Sequence, residues 1–313
     1  MLLKETLIKF EAHQFQEIED YFNQHGYVIV KQLLDEELID QFLDSYNAFK
    51  WRFYPLETQD THQIEPLKKD ENDFLVHSIM NPKDLVFANK FSSNSERCLT
   101  AEGVGKVLSL LSGKEQHNIY QSMFFDKSTG TVAHQDHYYL DTEPAGHMIA
   151  AWFAIEDIHP DSGCFFVMPD THTGEIVKGR DDIQRFDDHE DYVEQIQALI
   201  EEKNYQIRPC PLSKGDVLFW HPYTIHGAFK NQDPRFSRKS LTAHYIPRGY
   251  DVKNQYARKI PDTVASSINP NFYIWKRNRL KAQLGFFKRC LIYLVRQLYL
   301  RKPKLEMRSV KYE

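Results

Sequence analysis

The feature that most constrains the fold is a series of short apolar runs from residue 118 onward. These runs are IYQSMFF, MIAAWFAI, CFFVM, QIRPCPL, DVLFWH and SLTAHYI, and the polar clusters KSTG, HPDSG, SKGD and NQDP stand between them. Many short strands with turn signals at this spacing are typical of a β-sandwich or a β-barrel. The acidic stretch 181–204 interrupts the series, and we expect it to be a partly helical insertion.

The first 50 residues mostly have the periodicity of helices. In QFQEIEDYFNQHG the apolar residues recur at spacings of three and four, which predicts an amphipathic helix that ends at Gly26. The run YVIVKQLL then predicts a buried strand, and Asp35 is the predicted N-cap of a second helix, EELIDQFLDSYNAF. Residues 55–90 are polar with scattered prolines and predict no clear element. We therefore expect a mainly β fold with flanking helices, in which a helical N-terminal layer packs on a double-sheet β-domain.

The composition describes an ordinary globular chain with little charge imbalance. Of its 313 residues 39 are basic and 44 are acidic, and the formal net charge of −5 gives no field that would recruit nucleic acid. The four cysteines are far apart and form no Cys-x-x-Cys pair, which predicts free thiols rather than a zinc or redox site. Neither a secretory leader nor an apolar stretch of the ~20 residues needed to span a bilayer is visible. We expect a cytoplasmic protein, with a disulfide framework as the alternative for the cysteines.

Two short motifs contain residues that can bind a metal. In TVAHQDHYY, a strand would place His134 and Asp136 on the same side, because side chains two positions apart share a face. A third ligand is available in FWHPYTIHGAF, where His221 and His226 are the candidates. We favour His226, since the small Gly227 after it allows a cofactor to approach the backbone. Two histidines and one carboxylate form the facial triad of non-haem Fe(II) oxygenases.

Several motifs in a fixed order resemble the phytanoyl-CoA dioxygenase family. The segments are HQDHYY, AWFAIEDIHPDSGCFFVMPDTH, KGDVLFWHPYTIHGAFKN and RKSLTAHY, and the earlier HGYVIVKQLLDEELIDQF looks like the family's opening. The resemblance covers residues 15–50 and 118–247. It implies a double-stranded β-helix, that is, a jelly-roll or cupin-like core. It also implies a dioxygenase that uses Fe(II), O₂ and the co-substrate 2-oxoglutarate.

The resemblance also implies roles for individual residues. It makes His134, Asp136 and His226 the iron ligands, and it makes Arg238 the residue that binds the far carboxylate of 2-oxoglutarate. A guanidinium suits that role because it can hold a carboxylate through two parallel hydrogen bonds. Arg235 is the rival, and we interpret it as a solvated turn residue.

Three further residues are expected to line the 2-oxoglutarate pocket. Trp152 and Met123 match lining positions in relatives, and Gln121 shares a strand face with Met123 and is a candidate polar contact. Each also has a simpler interpretation, since a single Trp or Met in a strand usually belongs to the core.

The same pocket differs from that of close relatives at one position and contains two tyrosines whose orientation is open. Close relatives often carry a serine that assists the arginine, and here the position is Ala228. The loss of one such bond costs on the order of 1 kcal/mol of 2-oxoglutarate binding unless Thr242 or Ser240 compensates. By alternation one of Tyr138 and Tyr139 should face the pocket, although packing against the sheet explains both equally well.

The resemblance implies hydroxylation of an unactivated C–H bond in a small-molecule or acyl substrate, with release of succinate and CO₂. The intact Asp136 favours hydroxylation over halogenation, because halogenating relatives replace that carboxylate to make room for chloride. Desaturation and ring closure stay open, since the triad does not decide the fate of the substrate radical. Two other classes are alternatives: a catalytically inactive jelly-roll binding protein, and a zinc-dependent hydrolase or isomerase.

The charge pattern divides the chain near residue 250. We expect one oxygenase domain over residues 1–250, with the insertion near 181–204, and a basic amphipathic extension over residues 251–313. Residues 276–304 contain ten basic residues and no acidic one, which leaves 29 basic against 44 acidic residues and a net charge of −15 elsewhere. This pattern predicts peripheral contact with an anionic membrane, or packing on the acidic body of the same chain or on a second copy.

Overall fold

The computed structural model of the protein describes residues 6–57, 63–177, 189–254 and 262–300. Its α-helices are α1 (Phe15–His25), α2 (Glu36–Phe49), α3 (Asn89–Leu99), α4 (Glu102–Ser112), α5 (His189–Lys203) and α6 (Arg279–Leu300). Strands β1 to β8 are Tyr27–Val30, Pro55–Glu57, Ile64–Pro66, Ile79–Met80, His117–Phe125, Thr131–His134, Leu140–Glu143 and Ile149–Ala154. Strands β9 to β16 are Phe165–Val167, Arg208–Cys210, Val217–Trp220, His226–Ala228, Ser240–Pro247, Asp251–Asn254, Thr263–Ala265 and Phe272–Trp275.

Two facing sheets, which the chain visits in alternation, form the centre of the fold. In the larger sheet the strand order is β1–β11–β8–β13–β5–β16–β15, with β4 also paired to β5, and in the smaller sheet it is β10–β9–β12–β6. The chain crosses between the sheets from β5 to β6, from β8 to β9 and from β12 to β13. This is the winding of a double-stranded β-helix. The predicted mainly β fold with flanking helices and a jelly-roll core is therefore confirmed.

The N-terminal helices cover the outer face of the larger sheet. Buried side chains of α1 to α4 form one hydrophobic cluster with side chains of β5, β8, β11 and β13. On β13, Leu241, Ala243 and Tyr245 belong to this cluster. Because strand side chains alternate between faces, Thr242 and His244 point the other way, toward the smaller sheet.

A second hydrophobic cluster fills the space between the two sheets. It includes Trp152 from β8, Phe165 from β9 and Trp220 from β11, all of them buried. The ring centroid of Phe165 lies 5.4 Å from that of Trp152 and 5.0 Å from that of Trp220. Large aromatic rings packed in this way contribute much of the apolar area that joins the sheets.

The N-terminal elements lie where the sequence predicts them, with small differences at their ends. Helix α1 ends at Gly26, whose left-handed φ of 73° is the conformation that glycine adopts most readily. Strand β1 ends at Val30 instead of continuing through KQLL, because Gln32 takes a left-handed φ of 45°. Helix α2 begins after Asp35 as predicted, although the Asp35 side chain makes no capping hydrogen bond.

Several regions without a clear sequence pattern also form helices or strands. Within residues 55–90, β2 pairs with β3 and β4 pairs with β5, so the expectation of no element there was wrong. Helix α5 occupies most of the predicted insertion, whose residues 181–188 lie outside the described residues. Strand β14 pairs with β7, and β16 pairs with β15 and β5. Strands β14, β15 and β16 fall within the predicted C-terminal extension. The division of the chain at residue 250 stays a prediction.

The four cysteines are free thiols, as predicted. Burial raises the pKa of the Cys98 thiol to about 12, and it also raises the pKa of Cys164 and Cys210. These three thiols are therefore protonated and unreactive at neutral pH.

Helix α6 is attached to the rest of the protein by one side. The ring of Phe286 lies 4.8 Å from that of Tyr54 and 5.2 Å from that of Phe87, and the ring of Tyr293 lies 5.5 Å from that of Phe53. Among the described residues, no helix combines the length and the apolar character needed to cross a bilayer.

Candidate metal centre

His134 and His226 face each other across two neighbouring strands of the smaller sheet. They are Cα partners in the antiparallel pair of β6 and β12, and their ring centroids are 4.3 Å apart. The Nδ1 atom of each ring lies beside a backbone carbonyl, at 2.8 Å from Val132 O and 2.9 Å from Thr224 O. A carbonyl can only accept, so each Nδ1 carries the proton and each Nε2 presents a lone pair.

Asp136 completes the cluster by a route that differs from the prediction. Strand β6 ends at His134, and residues Asp136–Tyr138 form a 3₁₀ turn, so strand alternation does not bring Asp136 beside His134. The turn does so instead: Asp136 Oδ1 lies 3.6 Å from His134 Nε2 and 3.4 Å from His226 Nε2. The ligand atoms of these three residues all lie within 4.8 Å of one another, close enough to bind one cation.

The second carboxylate oxygen of Asp136 is held by residues that the sequence analysis missed. The indole Nε1 of Trp220 donates a 2.8 Å hydrogen bond to Oδ2, and His244 Nε2 lies 3.6 Å from the same atom. His244 lies two residues after Thr242 on β13, so both side chains are on the face toward the smaller sheet. Strand alternation could have placed His244 on this inner face, but it could not have placed it beside Asp136.

The protonation states of the cluster suit a cation. Burial alone would raise the pKa of Asp136, but the adjacent imidazoles of His226, His244 and His134 hold that pKa well below its usual range. Burial lowers the pKa of His226, against the opposing effect of Asp136. The centre therefore offers an ionised carboxylate and a neutral imidazole, the forms that bind a metal.

Gln135, between two of the ligands, anchors the loop that carries them. Its side-chain amide donates to the carbonyl oxygens of Glu175 and Tyr223 at 3.0 and 2.9 Å, and its side-chain oxygen accepts from the Val177 N–H at 3.0 Å. Its backbone N–H donates to the hydroxyl of Tyr192 on α5 at 2.8 Å. A loop fixed in this way holds its ligands in place before any metal binds.

Arg238 lies just before β13, buried in the space beside the centre. Its guanidinium carbon is 5.2 Å from the ring centroid of Phe125 and 5.7 Å from that of Trp152. Among the described residues its side chain makes no ion pair, and its Nε and the Nε1 of Trp152 are buried without a hydrogen-bond partner. Burial lowers the pKa of Arg238 to about 10, which leaves it charged at neutral pH. A buried, unpaired guanidinium is a fitting partner for a carboxylate ligand.

The other predicted pocket residues line the same inner face of the larger sheet. Met123 on β5 and Trp152 on β8 are both Cα partners of Thr242, which lies between them on β13. Gln121 is the Cα partner of His244. Met123 and Gln121 are partly exposed, as expected of side chains that line a pocket.

The structure also shows the position at which close relatives often carry a serine. Ala228 is buried in β12. The hydroxyl of Ser240 lies 3.4 Å from the carbonyl oxygen of Arg238, to which it donates. The hydroxyl of Thr242 therefore remains the better placed of the two candidates to assist binding of a carboxylate.

The rival candidates lie outside the cluster. His221 packs against Phe22, with ring centroids 6.5 Å apart, and its Nδ1 accepts from the Tyr223 N–H at 3.2 Å. Arg235 is a surface residue: its side chain is 78% exposed and pairs with Asp233 two positions earlier.

The two tyrosines after Asp136 have different neighbours. Tyr139 meets the ring of His134 edge-on at 5.5 Å, whereas Tyr138 stacks on Tyr192 of α5 at 3.6 Å. Tyr139 is therefore the one beside the metal centre. Strand alternation does not explain this difference, because Tyr138 ends the 3₁₀ turn.

Comparison with known proteins places this site in a family. A family model described as phytanoyl-CoA dioxygenase matches residues 22–240. The peroxisomal phytanoyl-CoA dioxygenase of Bos taurus is 22% identical over 276 residues, which cover 77% of this chain and 74% of that protein. The Mus musculus protein of the same name is 23% identical over 266 residues, which cover 75% of this chain and 72% of that protein.

Solved structures share the fold at low identity. The non-heme alpha-ketoglutarate-dependent carbocyclase SnoK has a TM-score of 0.58 and 18% identity, covering 78% of this chain and 88% of its own. The epimerase SnoN, solved in complex with Fe³⁺, alpha-ketoglutarate and nogalamycin RO, has a TM-score of 0.57 and 16% identity, covering 85% and 96%. The family match spans well over half of the chain and confirms the predicted class, an Fe(II)- and 2-oxoglutarate-dependent dioxygenase that also uses O₂. The chain belongs to the phytanoyl-CoA dioxygenase family.

Proposed function

We propose that this protein hydroxylates an unactivated C–H bond of a small-molecule or acyl substrate and releases succinate and CO₂ from 2-oxoglutarate. One arrangement supports the proposal most: two histidines and one carboxylate converge, and a buried arginine without an ion pair lies just before β13 of the facing sheet. The first set of groups suits iron, and the arginine suits the far carboxylate of 2-oxoglutarate.

Each residue of the centre has a proposed role. His134 and His226 would hold Fe(II) through Nε2, and Asp136 would hold it through Oδ1. Bound iron supplies the chemistry that couples oxidation of a substrate C–H bond by O₂ to decarboxylation of 2-oxoglutarate. Arg238 would bind and orient the co-substrate. Asp136, His226 and Arg238 are buried and the side chain of His134 is 13% exposed, and this shielding would protect the site from side reactions with water.

The remaining pocket residues would shape the site around these groups. Trp152 and Met123 would pack against the carbon chain of 2-oxoglutarate, and Gln121 would offer it or the substrate a polar contact. Thr242 would supply the hydroxyl that Ala228 lacks. The register of β5, β8 and β13 supports this proposal, because it aligns Trp152, Thr242 and Met123 in one row.

Hydroxylation is the outcome we propose, and desaturation or ring closure are its alternatives. The two solved relatives act as a carbocyclase and an epimerase on the same fold. Product analysis by mass spectrometry separates these outcomes. Hydroxylation adds one oxygen atom, desaturation or ring closure removes two hydrogen atoms, and epimerisation leaves the mass unchanged.

The test is succinate formation from 2-oxoglutarate with Fe(II), O₂ and a panel of acyl and small-molecule substrates. We expect His134→Ala, Asp136→Ala and His226→Ala each to abolish substrate-dependent turnover and Mn(II) binding, because each removes one of three bonds to the metal. His221→Ala is the matched control and should retain both. Loss of metal binding in His221→Ala but not in His226→Ala would contradict the ligand assignment.

The same experiment tests the two other classes of protein. An inactive binding protein would form no succinate with any substrate of the panel. A zinc hydrolase or isomerase would turn over without O₂ and with Zn²⁺ in place of iron. The cytoplasmic location stays a prediction.

A further inference from the structure

Helix α6 exposes an apolar stripe on the side turned away from the rest of the protein. We define the apolar stripe as Leu280, Leu284, Phe287, Leu291, Leu294 and Leu298. Their spacings alternate between four and three, which places all six on one face of a helix. Each is between 53% and 68% exposed. An exposed row of large apolar side chains on this scale marks an interaction surface.

The rest of the same chain is bound to the opposite side of α6. Besides the contacts of Phe286 and Tyr293 described above, Arg289 donates to the carbonyl oxygen of Pro55 at 3.2 Å, and Arg296 donates to Gln63 Oε1 at 2.8 Å. These four residues of α6 lie on the face opposite the apolar stripe. These contacts therefore hold the helix and leave the stripe uncovered, except where the ring of Phe87 lies beside Phe287.

The charged residues of α6 itself are all basic. Lys281 and Lys288 are exposed at one edge of the stripe, and residues 276–304 contain no acidic residue. The residues of this basic segment that lie outside the described part of the chain are Arg301, Lys302 and Lys304. A second copy of α6 would bring only more positive charge to the edges of the stripe, and paired helices need opposite charges there. An anionic lipid surface offers both an apolar layer and the opposite charge.

We propose that the apolar stripe binds the surface of an anionic membrane, with the axis of α6 parallel to that surface. The stripe enters the boundary between headgroups and acyl chains, and Lys281 and Lys288 contact lipid phosphates. The ring of Phe87, which is 40% exposed and 5.6 Å from that of Phe287, extends the stripe toward the body of the protein. The metal centre takes no part in this contact, so the contact can fail or hold independently of the proposed reaction.

The test is co-sedimentation of the full-length protein with vesicles of phosphatidylcholine, with and without phosphatidylserine. Two variants probe the surface: Leu284→Ser with Phe287→Ser and Leu291→Ser, and Lys281→Glu with Lys288→Glu. The matched control is Lys106→Glu with Lys114→Glu, which changes the net charge equally at exposed positions outside α6. Far-ultraviolet circular dichroism verifies that each variant retains the native helix content.

We expect the wild-type protein and the control to bind the phosphatidylserine vesicles, more strongly at low salt than at about 0.15 M. The charge reversal in α6 should lower the partition coefficient at least about tenfold. The serine variant should lower it about a hundredfold, because three apolar side chains no longer leave water.

Equal binding by the wild type and both α6 variants would overturn the proposal. A dimer in sedimentation equilibrium that only the serine variant loses, with no vesicle binding by any form, would assign the apolar stripe to a second copy and overturn it too.

Discussion

The two oxygens of Asp136 have different neighbours, and this difference organises the metal centre. Oδ2 accepts the indole N–H of Trp220 and lies beside His244, whereas Oδ1 faces His134 and His226. With one oxygen held in place, the carboxylate is restrained from rotating and offers the other oxygen in a fixed direction. A ligand that binds through one oxygen leaves more positions for a co-substrate and for O₂.

Arg238 is the residue whose replacement should affect the co-substrate most. We expect Arg238→Ala to raise the KM for 2-oxoglutarate tenfold or more, since it removes a charge-assisted pair worth about 2–3 kcal/mol. Arg235→Ala should leave that KM nearly unchanged, because its side chain is exposed and pairs with Asp233. Succinate formation at varied 2-oxoglutarate concentration measures both. The reverse result would move the carboxylate site to Arg235.

Helix α5 is the element outside the jelly roll that most directly supports the centre. The hydroxyl of Tyr192 accepts from the backbone N–H of Gln135 and donates to its carbonyl oxygen at 3.2 Å. The ring of Tyr192 stacks on Tyr138. Helix α5 is inserted in the sequence between β9 and β10 of the smaller sheet. Through Tyr192 it fixes the loop that carries Asp136.

Removing the hydroxyl of Tyr192 should loosen that loop without unfolding the protein. We expect Tyr192→Phe to weaken Mn(II) binding roughly three- to tenfold in a calorimetric titration, because an outer hydrogen bond to the ligand loop is lost. Tyr245→Phe is the matched control: it loses a 2.7 Å hydrogen bond to the Leu99 carbonyl, on the helix-covered face of the larger sheet. Equal weakening in both variants would mean that the effect is general destabilisation.

Elements that have their own periodicity could be predicted from the sequence, and elements that depend on distant partners could not. Helices α1 and α2 and the jelly-roll strands repeat apolar residues at the spacing of one helix or strand. Strands β2 to β4 and β14 to β16 lie outside the series of apolar runs and are defined by the strands with which they pair. Local alternation also failed at Asp136, since β6 ends two residues earlier.

In the candidate site, too, some residues could be predicted from the sequence and others depend on distant partners. The residue types and the resemblance were enough to select His134, Asp136, His226 and Arg238. The contact of His244 with Asp136 could not be predicted, because it depends on how the two sheets face each other. Trp220 was interpreted only as part of a strand for the same reason.

At the scale of the whole molecule, two buried histidines outside the centre make folding sensitive to acid. Burial lowers the pKa of His117 to about 4 and that of His221 to about 4. In the unfolded chain a histidine has a pKa of about 6.5, so between these values the unfolded chain binds protons that the folded protein does not. The contribution of these two histidines to the free energy of unfolding is therefore fully present above about pH 6.5 and is lost as the pH falls toward 4.

His117 is the better residue for testing this dependence, because it is 1% exposed. We expect His117 to account for about 2 kcal/mol of the unfolding free energy that metal-free protein loses between about pH 7 and pH 5. His117→Gln should remove that part of the loss, measured by urea unfolding at both pH values. His13→Gln, at an exposed position, is the control and should lose as much as the wild type. An unchanged loss in His117→Gln would contradict the prediction.

The pairing of His134 with His226 joins two residues that are 92 positions apart in the sequence. A shift of one residue between β6 and β12 would turn one of the two imidazoles out of the space between the sheets. A chain with that shifted register could not hold a metal through both imidazoles. Strand register is therefore a condition for metal binding: the site exists only in a sheet whose strands are correctly paired.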